Sequence, residues 1–270
     1  NATMVRDLRI PLPPLAEQRR ISAALAEADD LIASLEILIA KKQRMIKGVM
    51  QQLLTGRSRL CGFSAPWVES RVGRLLEFKN GMNKGSEYFG AGTPIVNFMD
   101  VMNGPIITAA DVVGRVSLTR DEIGRFSAMR GDLFFTRTSE TVDEVGTAAV
   151  LVDHVPDACF SGFVLRGRLR TRDVDSRFLA RTFQLGAVRA QVTSSATYTT
   201  RALTNGRSLG RVAIDLPPLD EQRAIATVLD DGDAELGALK YRLKKAQAVK
   251  TGMMQQLLTG RVRLPVEVAS

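Results

Sequence analysis

Two long stretches of the chain carry apolar residues at alternating spacings of four and three. One runs from Leu15 to Leu60 and the other from Leu219 to Leu264, and neither contains a proline. Kept over about five heptads, this spacing predicts a coiled-coil seam rather than the wider apolar stripe of a helix packed on a globular core. Lys42 and Lys250 interrupt the two seams, as polar residues do where they fix the register of a coiled coil. The predicted seam residues are Ile21, Leu25, Ile32, Leu35, Ile39, Ile46 and Leu53 in the first stretch, and Leu229, Leu236, Leu239, Leu243, Met253 and Leu257 in the second.

The bounds of both helices follow from their flanking residues. A proline pair precedes each stretch, and Thr55-Gly56 and Thr259-Gly260 follow the last heptads. Because proline is excluded from helix interiors and glycine favours the C-terminal cap, we predict helices over about 15–56 and 219–260. At 1.5 Å per residue each is roughly 60 Å long. We expect the two to pair antiparallel as a spacer; the alternative is that both simply pack on the domain between them.

The two helices belong to a segment that occurs twice. Residues 1–60 and 205–264 align without a gap, with PLPPLAEQRRI matching DLPPLDEQRAI and GVMQQLLTGRSRL matching GMMQQLLTGRVRL. A separation this long is not the 20–50 residue period of a solenoid. We therefore divide the chain into 1–60, with the first spacer helix, a unique module 61–204, and 205–270, with the second.

The central module mixes short β-rich runs with glycine-containing turns. We predict strands over Thr147–Val152 and Gly162–Leu169 and a helix over about Ser176–Val192. The expected fold class is α+β: one globular, mixed α/β domain plus two long helices forming an antiparallel coiled coil.

Composition changes this picture in two respects. The formal net charge is +8, and the basic residues of the central module are almost all arginine, whose planar fork binds guanine edges and phosphates in a bidentate way. A polyanionic partner is therefore plausible. No apolar run approaches the roughly 20 residues that span a bilayer, so we expect a cytoplasmic protein without a membrane partner.

Catalytic and metal-binding patterns are not found. The sequence has no phosphate-binding GxxxxGK[ST] loop, no HExxH and no GxSxG, and its two cysteines lack the spacing of a zinc site. We predict no catalytic residue and no metal ligand.

Three polar segments of the module, 80–85, 136–141 and 196–201, are candidates for contact with nucleic acid. Hydroxyls, an aromatic ring and cationic side chains on loops supply the donors and stacking surfaces that DNA requires. Arg137 is the best single candidate. The alternative is that these loops are only solvated and that Tyr198 packs inside. The predicted DNA-binding residues are Asn83, Lys84, Arg137, Thr138, Ser139, Thr197, Tyr198, Thr199 and Arg201.

These motifs together resemble the specificity subunit of Type I restriction-modification enzymes. The duplicated PPLxEQ openings and the MQQLLTGR helix ends carry the resemblance, which covers nearly the whole chain. Within the module, residues 131–141, residues 161–166 and Trp67 with Val72–Leu75 are similar to that family's target-recognition domains.

The resemblance implies a non-catalytic subunit that reads double-stranded DNA. In that family each recognition domain reads one half of a bipartite site, and the paired helices set the spacing. The helices also dock methyltransferase subunits, which carry S-adenosylmethionine, and through them restriction subunits that use ATP. No cofactor is therefore expected on this chain.

The chain departs from the family pattern in having two helices but one recognition domain. Either it is the C-terminal half of a longer protein, or it is a half-subunit that forms a homodimer and reads two inverted copies of one half-site. A competing hypothesis from another class is a coiled-coil scaffold whose central domain binds protein rather than DNA.

Overall fold

A computed structural model describes residues 12–198 and 201–264. The chain divides into two compact units. The first, called the helical unit below, comprises residues 1–48 and 230–270; the second, the central unit, comprises residues 49–229.

The described residues form the following elements. The helices are α1 (Leu15–Leu54), α2 (Val72–Leu75), α3 (Phe98–Met102), α4 (Arg120–Arg125), α5 (Ser176–Thr182), α6 (Gly186–Ser194), α7 (Gly206–Gly210) and α8 (Leu219–Leu257). The strands are β1 (Val68–Arg71), β2 (Leu76–Asn80), β3 (Phe89–Val96), β4 (Ile106–Ile107), β5 (Arg115–Val116), β6 (Leu133–Thr136), β7 (Thr138–Ser139), β8 (Ala148–Leu151), β9 (Cys159–Phe160), β10 (Val164–Leu169), β11 (Thr197–Tyr198), β12 (Ala202–Leu203) and β13 (Ala213–Leu216). Short 3₁₀ turns cover Ser86–Tyr88 and Val142–Glu144.

The two long helices begin and end close to the predicted residues. α1 and α8 each start at the leucine that follows the proline pair. Gly56 and Gly260, which follow the two helix ends, have φ of 68° and 70°. This left-handed conformation suits glycine and is typical of the residue that closes a helix C-terminus.

Within the helical unit the two helices run antiparallel. Three ion pairs show the direction: Glu17 with Arg263 at 2.6 Å, Asp29 with Lys250, and Lys42 with Glu235. As the residue number rises along α1, that of the partner, on α8 or just after its end, falls. The predicted antiparallel coiled coil is therefore confirmed.

The seam positions are buried or half-buried throughout. Ile21, Leu35, Ile39 and Leu257 are buried in the helical unit. Leu53 and Leu229 are also buried, but the structure places them in the core of the central unit. Lys42 and Lys250 are half-buried, and each extends its ammonium group to an acid of the opposite helix.

A five-stranded sheet in the order β2-β10-β6-β8-β4 organises the central unit. Side chains alternate across it, so that Phe135 joins one core cluster with Phe178, whereas Phe134 joins a second with Phe160. Because both faces are covered, β6 and β8 are buried along their whole length and read as continuous apolar runs. The predicted mixed α/β class is confirmed.

The predicted helix over Ser176–Val192 is wrong in one respect, because the chain forms two helices there. Asp175 caps α5 by accepting hydrogen bonds from the backbone N–H groups of Arg177 and Phe178. The chain then leaves the helix at Phe183 and resumes with α6 at Gly186. Phe183 and Leu185 are buried in the same core as α5, so the apolar pattern continues through the break and conceals it.

The central unit extends beyond the predicted module 61–204. β13 pairs antiparallel with β1, and α7 contacts α2. Val212 and Ile214, which lie inside the second copy of the repeat, are buried in the main core cluster of this unit. The boundary of the sequence repeat is therefore not the boundary of the folded unit.

Candidate nucleic-acid interface

Two of the three predicted polar segments form one small sheet. β12 pairs with β11 on one side and with β7 on the other, giving the order β11-β12-β7. The predicted residues Thr138 and Ser139 thus lie in the same sheet as Thr197 and Tyr198, although nearly sixty positions of sequence separate them.

The third segment reaches the same region through the loop Ser161-Gly162-Phe163. Met82 forms a β-bridge with Ser161, and the Gly162 N–H donates to the Met82 carbonyl at 2.6 Å. A Cβ on Gly162 would collide with the Asn83 amide, so the contact requires glycine. On the other side of the loop, the Arg137 N–H donates to the Phe163 carbonyl at 3.0 Å. The loop therefore joins Asn83 to Arg137.

Arg137 is held by its backbone rather than by its side chain. Its carbonyl accepts a hydrogen bond from the Thr204 N–H at 2.9 Å. The hydrogen bond found from its guanidinium within the described residues is long, 3.4 Å from Nη1 to the Gly162 carbonyl. Most of its donors are therefore unused, and the rigid backbone holds the half-buried side chain at the surface.

Two of the predicted DNA-binding residues have partners inside the protein. The Lys84 ammonium donates to the Glu122 carboxylate at 2.9 Å and lies 4.6 Å from the centre of the Tyr88 ring. This ion pair lowers the pKa of Glu122. Ser139 is buried, and its hydroxyl donates to the carboxylate of Glu144.

Four other predicted residues are more accessible. Asn83, Thr197 and Arg201 are exposed and Thr138 is half-buried. The Arg201 guanidinium lies 4.0 Å from the Glu140 carboxylate, and both are exposed. Thr199 lies outside the described residues.

A cleft of about 320 Å³ opens at the sheet β11-β12-β7. Its lining includes Thr138, Ser139 and Arg201, together with Phe98 and Phe163, which the sequence reasoning did not select. Phe163 is 59% exposed, yet both its backbone N–H and its carbonyl are hydrogen-bonded, to Ser161 Oγ and from Arg137. An exposed aromatic ring on a rigid backbone can stack on a base or contact a thymine methyl group.

Other chemistry is sparse in the part of the chain that the structure describes. No group of three or more His, Cys, Asp and Glu residues there is placed to hold a metal ion. No helix in residues 12–198 or 201–264 is long and apolar enough to cross a membrane. Cys61 is exposed, whereas burial raises the pKa of the Cys159 thiol to about 12 and keeps it neutral.

The PPLxEQ openings of the repeats make equivalent contacts. In the central unit, Arg59 forms a two-pronged ion pair with the buried Glu221, with N–O distances of 2.5 and 2.7 Å. In the helical unit, Arg263 holds Glu17 in the same way, with both distances 2.6 Å. Each repeat thus uses the arginine near its end to hold the glutamate at the start of the other.

The glutamines that follow these glutamates, Gln222 and Gln18, make different sets of hydrogen bonds in the two units. Gln222 donates to the carbonyls of Pro217 and Asp173 and accepts from the Asp175 N–H at 2.9 Å. Gln18 makes the equivalent of the first contact, donating to the Pro13 carbonyl at 2.7 Å.

Comparison with known proteins identifies what this arrangement is similar to. No protein-family model matches the sequence. The Type I restriction enzyme MjaVIII specificity subunit of Methanocaldococcus jannaschii is 23% identical over 96% of this chain and 63% of its own length. The EcoKI specificity subunit of Escherichia coli strain K12 is 25% identical over 95% of this chain and 57% of its own length. The resemblance to Type I specificity subunits is confirmed.

Solved structures of specificity subunits share the fold. The HsdS subunit from Thermoanaerobacter tengcongensis is 22% identical, with a TM-score of 0.52 over 94% of this chain and 60% of that one. The S subunit from M. genitalium is 14% identical, with a TM-score of 0.62 over 96% of this chain and 65% of that one. The chain therefore spans about 60% of the length of the specificity subunits it matches.

The motifs that carried the specificity-subunit resemblance have defined places in the structure. Residues 131–141 form β6, β7 and the turns beside them. Residues 161–166 form the loop Ser161-Gly162-Phe163 and the start of β10. Trp67 packs edge-on against Phe178 with ring centres 6.3 Å apart, and the Arg59 guanidinium lies over its indole ring at 5.6 Å.

Proposed function

We propose that this chain is a DNA-recognition component of a Type I restriction-modification complex and that its central unit reads one half of a bipartite site. The observation that carries the proposal is that three separate polar segments meet in one region: segments 80–85 and 136–141 are bonded to the loop Ser161-Gly162-Phe163, and segment 196–201 joins them through the sheet β11-β12-β7. Polar loops that were only solvated would have no reason to meet at one rigid point.

The residues at this point supply both kinds of contact that sequence reading needs. Arg137 has the fork that fits the O6 and N7 atoms of guanine, and Asn83 has the amide that fits adenine. Thr138, Thr197 and Arg201 supply donors for phosphates, which fix register without reading sequence. Phe163 adds an apolar surface for a base or a thymine methyl group. Lys84 and Ser139 support this surface through their ion pair and hydrogen bond.

The partners in this proposal follow from the resemblance. The antiparallel helices act as spacer and as the docking surface for methyltransferase subunits, and restriction subunits join through these. The chain performs no catalysis, and S-adenosylmethionine and ATP bind to the partner subunits. Such a complex acts on DNA in the cytoplasm.

A second recognition domain is supported by a comparison of the two repeat copies. In the central unit, Leu53, Leu54, Ile225 and Leu229 are buried under the recognition domain's own residues. In the helical unit, the equivalent residues Leu257, Leu258, Ile21 and Leu25 line an open groove of about 380 Å³. The groove residues are Leu12, Pro13, Gln18, Ile21, Ser22, Leu25, Leu257 and Leu258.

Leu258 is 50% exposed in the helical unit, whereas its counterpart Leu54 is 2% exposed in the central unit, and Leu25 is half-buried where Leu229 is buried. Because these positions are covered in one copy and more exposed in the other, we propose that a second recognition domain occupies the groove. It comes either from another copy of the chain or from a longer polypeptide. Leu258→Glu would place a charge in this groove, whereas Val249→Glu would place one elsewhere on α8. Sedimentation should show that only Leu258→Glu prevents formation of a two-headed assembly with DNA and methyltransferase subunits. A monomeric wild-type chain under these conditions would exclude a homodimer.

Duplex binding tests the proposed function. Fluorescence anisotropy with a labelled duplex should show binding whose log K falls linearly with log salt concentration. Methylome sequencing of cells with and without the gene should then reveal a bipartite site. Absence of duplex binding at low salt, with the chain folded, would instead favour the protein-binding scaffold.

A further inference from the structure

A cluster of four cations lies on the sheet face opposite the main core. Lys79 on β2 is directly opposite Arg166 on β10, and Arg168 is opposite Glu77. Arg125, at the end of α4, completes the cluster: its carbonyl accepts a hydrogen bond from the Lys79 ammonium at 2.5 Å. Lys79 and Arg125 share the ring of Phe126, at 5.9 and 5.3 Å from its centre.

One of the four charges is neutralised within the protein. Arg168 forms a two-pronged ion pair with the buried carboxylate of Asp132, with both distances 2.7 Å. Arg166 is only 5% exposed and donates from Nη1 to the Ser127 carbonyl at 2.8 Å. Its Nε has no hydrogen-bond partner among the described residues. Arg166 also feels the charge of Asp132, and the exposed Glu77 acts on both Lys79 and Arg166.

The like charges of this cluster oppose folding, while the Lys79 hydrogen bond and its contact with the Phe126 ring support it. Like charges directly opposite each other on paired strands are destabilising, and Lys79 and Arg166 form such a pair. Burial, with Arg166, Arg125 and Arg168, lowers the pKa of Lys79. A methionine at position 79 would cover Phe126 without the repulsion, but it would lose the hydrogen bond to the Arg125 carbonyl. The repulsion between Lys79 and Arg166 is a cost that a bound anion would relieve.

The position of the cluster indicates its ligand. Lys79 immediately precedes the polar segment 80–85, and Asn80 lies opposite Leu165, two residues from Phe163. Strand residues rise about 3.3 Å each, so the cluster lies within roughly 10 Å along the strands of the loop assigned to base reading. A polyanion contacting that loop would extend over neighbouring cations.

We propose that Lys79 and Arg125, backed by the buried charge of Arg166, bind a phosphate of the DNA backbone next to the bases contacted at the loop Ser161-Gly162-Phe163. The proposal rests on the proposed function and adds a contact that positions the duplex. Lys79 supplies the ammonium, Arg125 supplies the exposed fork, and Arg166 adds an anchored charge behind them. A phosphate here would relieve the repulsion between the strands.

The test compares Lys79→Met with Lys244→Met in the full chain. Lys244 is exposed on α8, so both variants lose one charge by the same chemical change. Binding of a labelled random-sequence duplex is measured over a series of salt concentrations, since a phosphate contact is independent of sequence. Lys79→Met should reduce the magnitude of the salt slope by about 0.9, the value for one lost phosphate contact, while Lys244→Met leaves it unchanged.

A second readout separates this role from a structural one. Lys79→Met should melt close to the wild-type temperature, because the like-charge repulsion that it removes offsets the hydrogen bond that it loses. Lys79→Arg keeps the charge and should retain the wild-type slope. A folded Lys79→Met with an unchanged slope would overturn the proposal while leaving the proposed function intact. If Lys79→Met does not fold, the other two variants decide. The proposal is overturned if Lys79→Arg loses the wild-type salt slope, or if Arg125→Ala keeps it.

Two further outcomes are distinct. A wild-type chain that binds no duplex would refute the proposed function itself. Melting is also measured with inorganic phosphate, with ionic strength matched by chloride. If phosphate raises the melting temperature of the wild type but not of Lys79→Met, and the two proteins have equal DNA salt slopes, the site binds a free anion. That result would overturn the assignment to DNA.

Discussion

Arg137 combines a fixed backbone with a largely uncommitted side chain. We expect Arg137→Ala to weaken binding to the target half-site by about 1–3 kcal/mol, the usual value of a bidentate base contact. Binding to a scrambled duplex of equal length should change much less. Arg172→Ala, which removes an exposed arginine from a turn, is the matched control. Equal losses on target and scrambled duplexes would make Arg137 a phosphate contact instead.

Glu17 offers a test by pH. Its hydrogen bond and ion pair with Arg263 lower its pKa from the ordinary value of 4.5. A carboxyl group with a lowered pKa in the folded state stabilises the fold above its ordinary pKa, and this stabilisation is lost as pH falls through the lowered value. Thermal melts should therefore show Glu17→Gln less stable than the wild type at neutral pH. The difference should begin to shrink as pH falls below about 4.5 and disappear below the lowered pKa, and a difference independent of pH would contradict the assignment.

At the residue scale, the sequence predicted three polar segments as candidates, but neither that they meet nor what each side chain does there. Arg137 and Asn83 were selected from residue type and loop context, and the structure brings both to one loop. The ion pair of Lys84 with Glu122 and the hydrogen bond of Ser139 to Glu144 depend on tertiary placement, which no local pattern encodes. Phe163 was missed because an isolated phenylalanine before a buried strand is more often part of the core.

Among the elements, α8 contains two glycines with different surroundings. A Cβ on Gly232 would lie 3.3 Å from Ile46, whereas nothing lies within 4 Å of one on Gly237. Since alanine is favoured over glycine in helix interiors by about 0.8–1 kcal/mol, Gly237→Ala should raise the free energy of unfolding by about that amount. Gly232→Ala should gain less, because Ile46 must move. Urea denaturation of both variants measures the difference, and equal gains would show that Ile46 adapts freely.

Element boundaries were predictable where the signal was chemical. Proline pairs and glycine caps gave the ends of α1 and α8 within a few residues. The break between α5 and α6 was not predictable, because Phe183 and Leu185 continue the apolar pattern while the backbone leaves the helix. β7, β11 and β12 are two residues long each and pair over long sequence distances, so no run of alternating residues announces them.

For the molecule as a whole, the repeat predicted the two paired helices and carried the family resemblance. It did not predict where the central unit ends. Val212 and Ile214 belong to the second repeat by sequence and to the central core by packing. The reason is that strand β13 pairs with β1, a contact over more than 140 residues that periodicity cannot reveal.

The ion pair between Arg59 and Glu221 joins the two positions where the chain enters and leaves the central unit. Because Glu221 is fully buried, Arg59→Met leaves a charge without its partner and should lower the melting temperature substantially. The double variant Arg59→Met, Glu221→Met should recover much of that loss. The single tryptophan, Trp67, lies under Arg59, so its fluorescence follows this region directly. A double variant as unstable as the sum of the two single variants would show that the pair is not coupled.

The order of the ion pairs in the helical unit has a mechanical consequence. Glu17 and Arg263 stand at one extreme of the paired helices, followed by Asp29 with Lys250 and then Lys42 with Glu235. Tension applied between residues 12 and 264 would load these contacts one after another, beginning with Glu17 and Arg263, rather than all at once. Separation that starts at this end would therefore need only modest force, whereas a load applied lengthwise along both helices would meet every contact together.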